Sequence, residues 1–331
     1  MLEAAIDYWE FTVPYDAKSD LLDVIPGGLE VLRNKRGDVV GWRGYTHSGF
    51  VAMNKGRVGW SPGDERMGCH VSLSSEALSV LATLHEAWTD LPSVMAYVMG
   101  ELGGHTTRLD VCWDDLEGLL DLDAVGRALR SGQYVSRWRQ WTYHESARLT
   151  DGGQVMGESY YMGSGKSDAQ LRVYDKRAER LQKGHDVDAE HWVRVEVQFR
   201  RKRSDAVARL YQTVKTNCHA VMVKLAGVLR SYVEFKEPSS DTNKQRQPIA
   251  GWWGRFLGFV EKATLAVVAR EAPTVHDVMS WVSAQVAPSL ALLEEALGFD
   301  EAWAFLFSEA QHGRLRWRAR HKAILRASGV Q

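Results

Sequence analysis

The sequence predicts an α+β fold, an antiparallel sheet with one open polar face followed by a helical C-terminal region. Three observations predict it. Short β-rich segments between residues 6 and 73 are separated by Gly-rich turns too short for parallel crossovers. Three later strands each carry charge on one side and apolar residues on the other, and helical spacing dominates beyond Ser204. The 331 residues are 45% hydrophobic, enough for a substantial core, and the net charge of −1 gives no global sign of a polyanionic partner.

Ile6 to Val13 is rich in β-formers and ends at the breaker Pro14, and β segments continue at Val39 to Gly44, Gly49 to Asn54, Arg57 to Trp60 and Gly68 to Leu73. Helical spacing follows from Ser75 to Trp88, capped by Ser74 or Ser75, and from Leu91 to Leu102, stopped by Gly103 and Gly104. In the strand Thr106 to Trp113, alternation sets Arg108, Asp110, Cys112 and Asp114 against Leu109, Val111 and Trp113. A helix from Leu122 to Arg130 leads to the aromatic and basic strand Tyr134 to Tyr143. A tight turn at Gly163 to Gly165 then opens the strand Ala169 to Lys176, which puts Arg172, Tyr174 and Lys176 on one face. In the next strand, Trp192 to Phe199, Arg194, Glu196 and Gln198 oppose Val193, Val195 and Val197. Ser204 is the expected cap of one long helix from Asp205 to about Tyr232. Residues 238–250, polar and bounded by breakers, read as a linker or mobile loop between a region 1–237 and a helical region 251–331.

Several classes of protein are set aside. No run of 18 apolar residues is present, and the first 25 residues carry Glu3, Asp7 and Glu10 where a secretory signal needs an apolar core, so a cytoplasmic protein without membrane contact is expected. Cys69, Cys112 and Cys218 have no paired spacing for a disulfide framework or a structural zinc site. Gly165-Lys166-Ser167 lacks the first glycine of a phosphate loop, Tyr160 standing there, and leads into a strand where that loop opens a helix. The histidines form no His-x-His pair.

The charged faces suggest a chemistry. A tyrosine hydroxyl titrates near pH 10 and needs nearby cations or a base to act as a nucleophile. Arg172 and Lys176 are placed to lower the pKa of Tyr174 and to hold a phosphate, while Asp110, Asp114 and Glu196 offer the hard oxygen ligands that Mg²⁺ or Mn²⁺ prefers. Each residue also has an ordinary reading. Strand tyrosines are usually packing residues, Asp110 could pair with Arg108, and Asp114 could be a turn acid; Glu196, in the middle of three valines, is the hardest to explain without a partner. Arg137, Arg139 and Trp141 could contact phosphate and stack on single-stranded bases. Arg200, Arg201 and Arg203, and the basic tail from Arg314 to Arg326, are further phosphate-binding candidates.

Three blocks together resemble the Rep_trans replication-initiation family: Thr107-Arg108-Leu109-Asp110 with Asp114, Gly163 to Asp168 leading to Leu171-Arg172-Val173-Tyr174-Asp175-Lys176, and Trp192-Val193-Arg194-Val195-Glu196. Their order and spacing agree over roughly residues 6 to 235. The resemblance implies that Tyr174 nicks one DNA strand and keeps its 5′ phosphate as a phosphotyrosine, leaving a 3′ hydroxyl to prime rolling-circle replication. It also implies a metal site at Asp110, Asp114 and Glu196 holding Mg²⁺ or Mn²⁺, and DNA contacts at Arg108, Lys166 and Arg194. Gln198 departs from members that have a second acid there, so either the coordination shell is smaller or Gln198 supplies an amide oxygen. The implied partner is origin DNA, double-stranded and locally single-stranded, with a host helicase and a homodimer as further expectations; residues 251–331 would aid DNA binding or self-association. A relaxase for conjugative transfer would use the same chemistry. A DNA-binding regulator without nickase activity is the reading from another class, and convergent acids that repel phosphate argue against it.

Overall fold

In the computed structural model, which describes residues 4–149, 155–215, 218–258, 260–263 and 282–315 and the single positions 275, 278, 279, 317 and 325, the chain divides into two compact units, Met1–Val267 and Val268–Gln331. The first is built on a ten-stranded sheet in which every pairing is antiparallel. Its strands, in chain order, are β1 (Ala4–Val13), β2 (Glu30–Val31), β3 (His47–Val51), β4 (Gly56–Trp60), β5 (Cys69–Ser74), β6 (His105–Asp115), β8 (Trp141–Ala147), β9 (Val155–Met162), β10 (Ala169–Asp175) and β11 (Val193–Arg200). Across the sheet the order is β2-β3-β4-β5-β1-β6-β11-β10-β9-β8, so strands far apart in sequence, β1, β6, β11 and β10, meet in the middle.

The sheet's two faces differ as alternation requires. Trp9, Phe11, Leu109, Val111, Trp113, Leu171, Val173, Val195, Val197 and Phe199 are all buried on one face. Helices α2 (Ser75–Leu84), α3 (Leu91–Gly100), α6 (Arg201–Tyr211) and α7 (Cys218–Tyr232) pack against these strands. The opposite face carries Arg108, Asp110, Arg172, Tyr174, Arg194 and Glu196, with α5 (Lys176–Gln182) beside it.

Local chemistry sets the helix starts. Ser74 Oγ accepts from Ala77 N at 3.2 Å to cap α2, and Asp121 accepts from Asp123 N and Ala124 N to cap α4 (Leu122–Arg130), as the spacing predicts. Asp175 caps α5 through Ala178 N at 2.7 Å, which ends β10 one residue before the expected Lys176. The expected strand Tyr134 to Tyr143 is two pieces. Its first part, β7 (Tyr134–Ser136), pairs with β12 (Val233–Phe235); then the Ser136 hydroxyl accepts from Trp138 N and the chain bends before β8. The expected helix from Asp205 is also interrupted. It starts at Arg201, with Ser204 inside it bonding Thr106 O, and a 3₁₀ turn at Gln212–Lys215 precedes α7.

Residues 238–250 form a loop held at its base, with Glu237 N donating to Pro248 O and Ala250 N to Phe235 O. Lys236 Nζ binds the Gln245 and Gln247 carbonyls from beneath it, and the compact unit continues beyond the loop through α8 (Gly251–Phe256). The first compact unit thus takes in this loop and α8 and extends to Val267. Among its described residues the second unit contains a π-helical turn, Val282–Val286, and the helices Ala287–Leu297 and Phe299–Leu315, separated by Gly298. Of the basic tail, Arg314 lies in the last turn of the helix Phe299–Leu315, and Arg316, Arg318, Arg320, Lys322 and Arg326 lie outside the described residues. Among the described residues no helix is long and apolar enough to cross a membrane.

Candidate active site

On the polar face the strand register puts Arg172 opposite Glu196, Tyr174 opposite Arg194, Arg194 opposite Asp114, Gln198 opposite Asp110, and Tyr8 opposite Asp110. These strands and α5 enclose a cavity of about 350 Å³ whose walls include Asp7, Asp110, Arg172, Tyr174, Lys176 and Glu196. A larger cleft, about 660 Å³, lies around Tyr15, Glu65, Arg66 and His105, away from all of these residues.

Tyr174 is 2% exposed, and its hydroxyl donates to Glu196 Oε2 at 3.3 Å. The expected lowering of its pKa is not found. Burial raises it strongly, the Glu196 charge adds to that, and Arg194 and Arg172 only partly oppose it. The two cations expected to act on the hydroxyl are otherwise placed. The Arg172 guanidinium stacks on the Tyr174 ring, 3.7 Å from its centroid, and Lys176 Nζ is bound to Glu179 at 2.8 Å. Arg172 forms no ion pair among the described residues, and its buried Nε has no hydrogen-bond partner.

The acids are partly neutralised from within. Asp110, 1% exposed, is held by Arg108 through Nε at 3.0 Å and Nη2 at 2.5 Å, with Gln198 Nε2 donating at 3.3 Å. Burial still raises the Asp110 pKa, with Arg108 opposing. Asp114 gives both oxygens to Arg194, at 2.6 and 2.7 Å, and Arg194 Nη1 also binds Asp7. Glu196 forms no ion pair among the described residues, and burial together with Asp110 and Asp7 raises its pKa to about 7.

These contacts redistribute the expected roles. Among the described residues no three acids, histidines or cysteines gather into a metal-binding group; Asp110 and Glu196 share the cavity, and Asp114 is committed to Arg194. Arg194, expected on DNA, is 8% exposed and clasped between two carboxylates, and Arg108 lies over the Tyr8 ring while holding Asp110. Gln198 presents its amide nitrogen to Asp110 and its oxygen to Arg200, so its oxygen is already engaged. Lys166 is exposed in the turn before β10. Arg200 binds Ser167 O at 3.1 Å, and Arg201 pairs with Asp168 at 2.6 Å.

Arg137 and Arg203 both lie over the ring of Tyr232, which packs edge-on to Phe199 on the helix-covered side of the sheet. Trp141 packs toward Tyr160, 6.4 Å between ring centroids, and Arg139 is exposed in the bend before it. None of these lines the cavity of Tyr174.

Asp7 escaped the sequence reading. Trp9 and Phe11 are core residues, so strict alternation assigns Asp7 to the same side. A register shift between Ile6 and Tyr8 breaks that alternation and turns the carboxylate to the polar face.

The sequence profile of the Rep_trans family, described as replication initiation factor, matches residues 104–305, more than half of the chain. The chain is 24% identical over 260 residues to the putative DNA relaxase NicK of Bacillus subtilis (strain 168), spanning 76% of this chain and 70% of that one. The fold resembles a rolling circle replication initiator protein from Geobacillus stearothermophilus with a TM-score of 0.66 and 24% identity, over 81% of this chain and 99% of that one. With the profile reaching from β6 through the strands of Tyr174 and Glu196 and beyond, this chain belongs to the Rep_trans family of replication initiation factors.

Proposed function

We propose that the protein initiates rolling-circle replication by nicking one strand of its origin, with Tyr174 as the nucleophile and a 5′-phosphotyrosine as the intermediate. The observation that carries this reading is the buried hydrogen bond from the Tyr174 hydroxyl to Glu196, beside an Arg172 guanidinium without an acid partner. Glu196 Oε2 takes the hydroxyl proton as the tyrosine oxygen bonds to phosphorus, and the bond from phosphorus to the 3′ oxygen breaks. The departing 3′ oxygen gains a proton, and Arg172 balances the charge that gathers on the phosphoryl oxygens. Rejoining is the same exchange in reverse.

The donor set suits a divalent cation, because Glu196 is a buried carboxylate without a salt bridge, next to Asp110 in the same cavity. Asp110 and Glu196 would hold Mg²⁺ or Mn²⁺, which would polarise the scissile phosphodiester. Origin DNA is the partner this reading requires; a helicase to open the duplex ahead of the 3′ end and self-association through the helical C-terminal region belong to the same proposal.

The test is supercoiled plasmid carrying the DNA that flanks the coding sequence, incubated with protein and Mg²⁺ or Mn²⁺. Open circles with protein on a 5′ end are expected, and none with Tyr174→Phe. No nick from the wild type, or equal nicking by Tyr174→Phe, sinks the reading. The likeness to NicK favours a second one, a relaxase for conjugative transfer with the same chemistry. A coupling ATPase gene next to this one would select it.

A further inference from the structure

The cavity at Tyr174 is bipolar. Its floor carries Asp110 and Glu196, but the wall formed by α5 is cationic. On that helix and at its C-cap, Lys183, the residues Lys176, Glu179, Arg180 and Lys183 follow the i, i+3, i+4, i+7 spacing that lines up one face, and all four border the cavity. Arg177 leaves this face to bind Ala189 O at 2.8 Å. Glu179 is the single acid of the row and is shared between Lys176 at 2.8 Å and Lys183 at 2.6 Å, which leaves the wall with excess positive charge. The Arg180 guanidinium has no hydrogen bond or ion pair among the described residues, the same condition as Arg172, which lies opposite Glu196 on the next strand.

We infer that α5 is the rail for the strand being cut: Arg180 and Lys183 bind the backbone phosphates next to the one attacked by Tyr174. This inference rests on the nicking reading and assigns that strand its path. A chain of phosphates needs cations spaced along a line, and the floor acids repel every phosphate that is not held above them. The helix supplies that line directly from the nucleophile strand, because Asp175 ends β10 and caps α5 in the same residue. Among the described residues, the basic candidates Arg201, Arg137 and Arg203 form no such row: Arg201 is paired with Asp168, and Arg137 and Arg203 stack on Tyr232 behind the sheet.

Fluorescein-labelled oligo(dT), a single strand without origin sequence, tests the rail by anisotropy across a salt series. Each phosphate contact on a single strand contributes a slope of about 0.7 in log affinity against log salt, so the double variant Arg180→Gln, Lys183→Gln should lose about 1.4 of slope and at least about tenfold in affinity. The charge-conserving pair Arg180→Lys, Lys183→Arg should keep the wild-type slope, which separates lost charge from a damaged helix. Arg127→Gln, on α4 and outside the cavity, should bind as the wild type does. Wild-type affinity and slope in the double glutamine variant would overturn the inference, as would wild-type binding to oligo(dT) that does not depend on salt. Failure of Tyr174→Phe to abolish nicking overturns the parent reading instead, through a different measurement.

Discussion

The Tyr174 hydroxyl donates to Glu196 Oε2 at 3.3 Å, and both groups are displaced upward from their ordinary titration ranges. Glu196 sits at about 7, raised by burial and by the charges of Asp110 and Asp7. In the unfolded chain it ionises near 4.5, so between about 4.5 and 7 the folded protein holds a proton that the unfolded chain has released. Stability therefore falls as pH rises through that window. In metal-free buffer Glu196→Gln should match the wild type at about pH 4 and exceed it at about pH 8, by at most about 3 kcal/mol in urea denaturation. The same variant should lose about 10²- to 10⁴-fold in single-turnover nicking, because the proton acceptor is gone. A wild-type rate in Glu196→Gln would remove it from proton transfer.

Arg172 combines a stacked guanidinium, 3.7 Å from the Tyr174 ring centroid, with donors that have no acid partner. A lysine keeps the charge and loses the planar fork and the stacking. Arg172→Lys should cut the single-turnover rate by about tenfold to a hundredfold, with oligonucleotide affinity within about threefold of wild type. A large loss of affinity at an unchanged rate would make Arg172 a binding residue only.

Much of this arrangement is legible in the sequence. Alternation alone puts Arg172 with Tyr174, and Asp110 with Asp114, because side chains of period two cannot choose their face once Leu171, Val173, Leu109 and Val111 are core. What was hidden depends on contacts between distant strands. The partnership of Asp114 with Arg194 follows from the register of β6 against β11, and Asp7 looks like a core-facing position until the register shift at Tyr8 turns it. The α5 row was hidden by one residue. As a strand residue Lys176 shares no face with Arg180 and Lys183; as the first residue of a helix it does.

Asp7 and Asp114 share the Arg194 guanidinium, but their positions predict different consequences. Asp7 borders the cavity and its charge raises Glu196; Asp114 is absent from the cavity walls. Asp7→Asn should weaken Mn²⁺ binding, measured by calorimetry without DNA, by several fold more than Asp114→Asn. Asp114→Asn should cost more stability, since it removes the charge, turns one acceptor of a bidentate pair into a donor facing Arg194, and leaves Arg194 with Asp7 as its one carboxylate, a loss of about 2 to 4 kcal/mol for a largely buried charge. Equal Mn²⁺ affinities in the two variants would return Asp114 to the metal site.

The turn before β10 sets where Tyr174 is delivered, and Gly163 is its tightest point. Its φ of 91° lies in the left-handed region, and a Cβ there would come within 2.5 Å of Trp138 Cδ1. Trp138 cannot easily withdraw, because its Nε1 donates to Ala169 O at 2.8 Å, at the first residue of β10, and its ring stacks on Tyr232 at 5.0 Å. Gly163→Ala must therefore strain the backbone and displace a ring that anchors the start of β10. A loss of about 2 to 3 kcal/mol in denaturant unfolding is expected, together with a nicking rate lowered well beyond the fraction unfolded. Gly165→Ala is the control: nothing lies within 4 Å of its Cβ position, and both stability and rate should stay near wild type. If Gly163→Ala nicks at the wild-type rate, the turn does not position Tyr174.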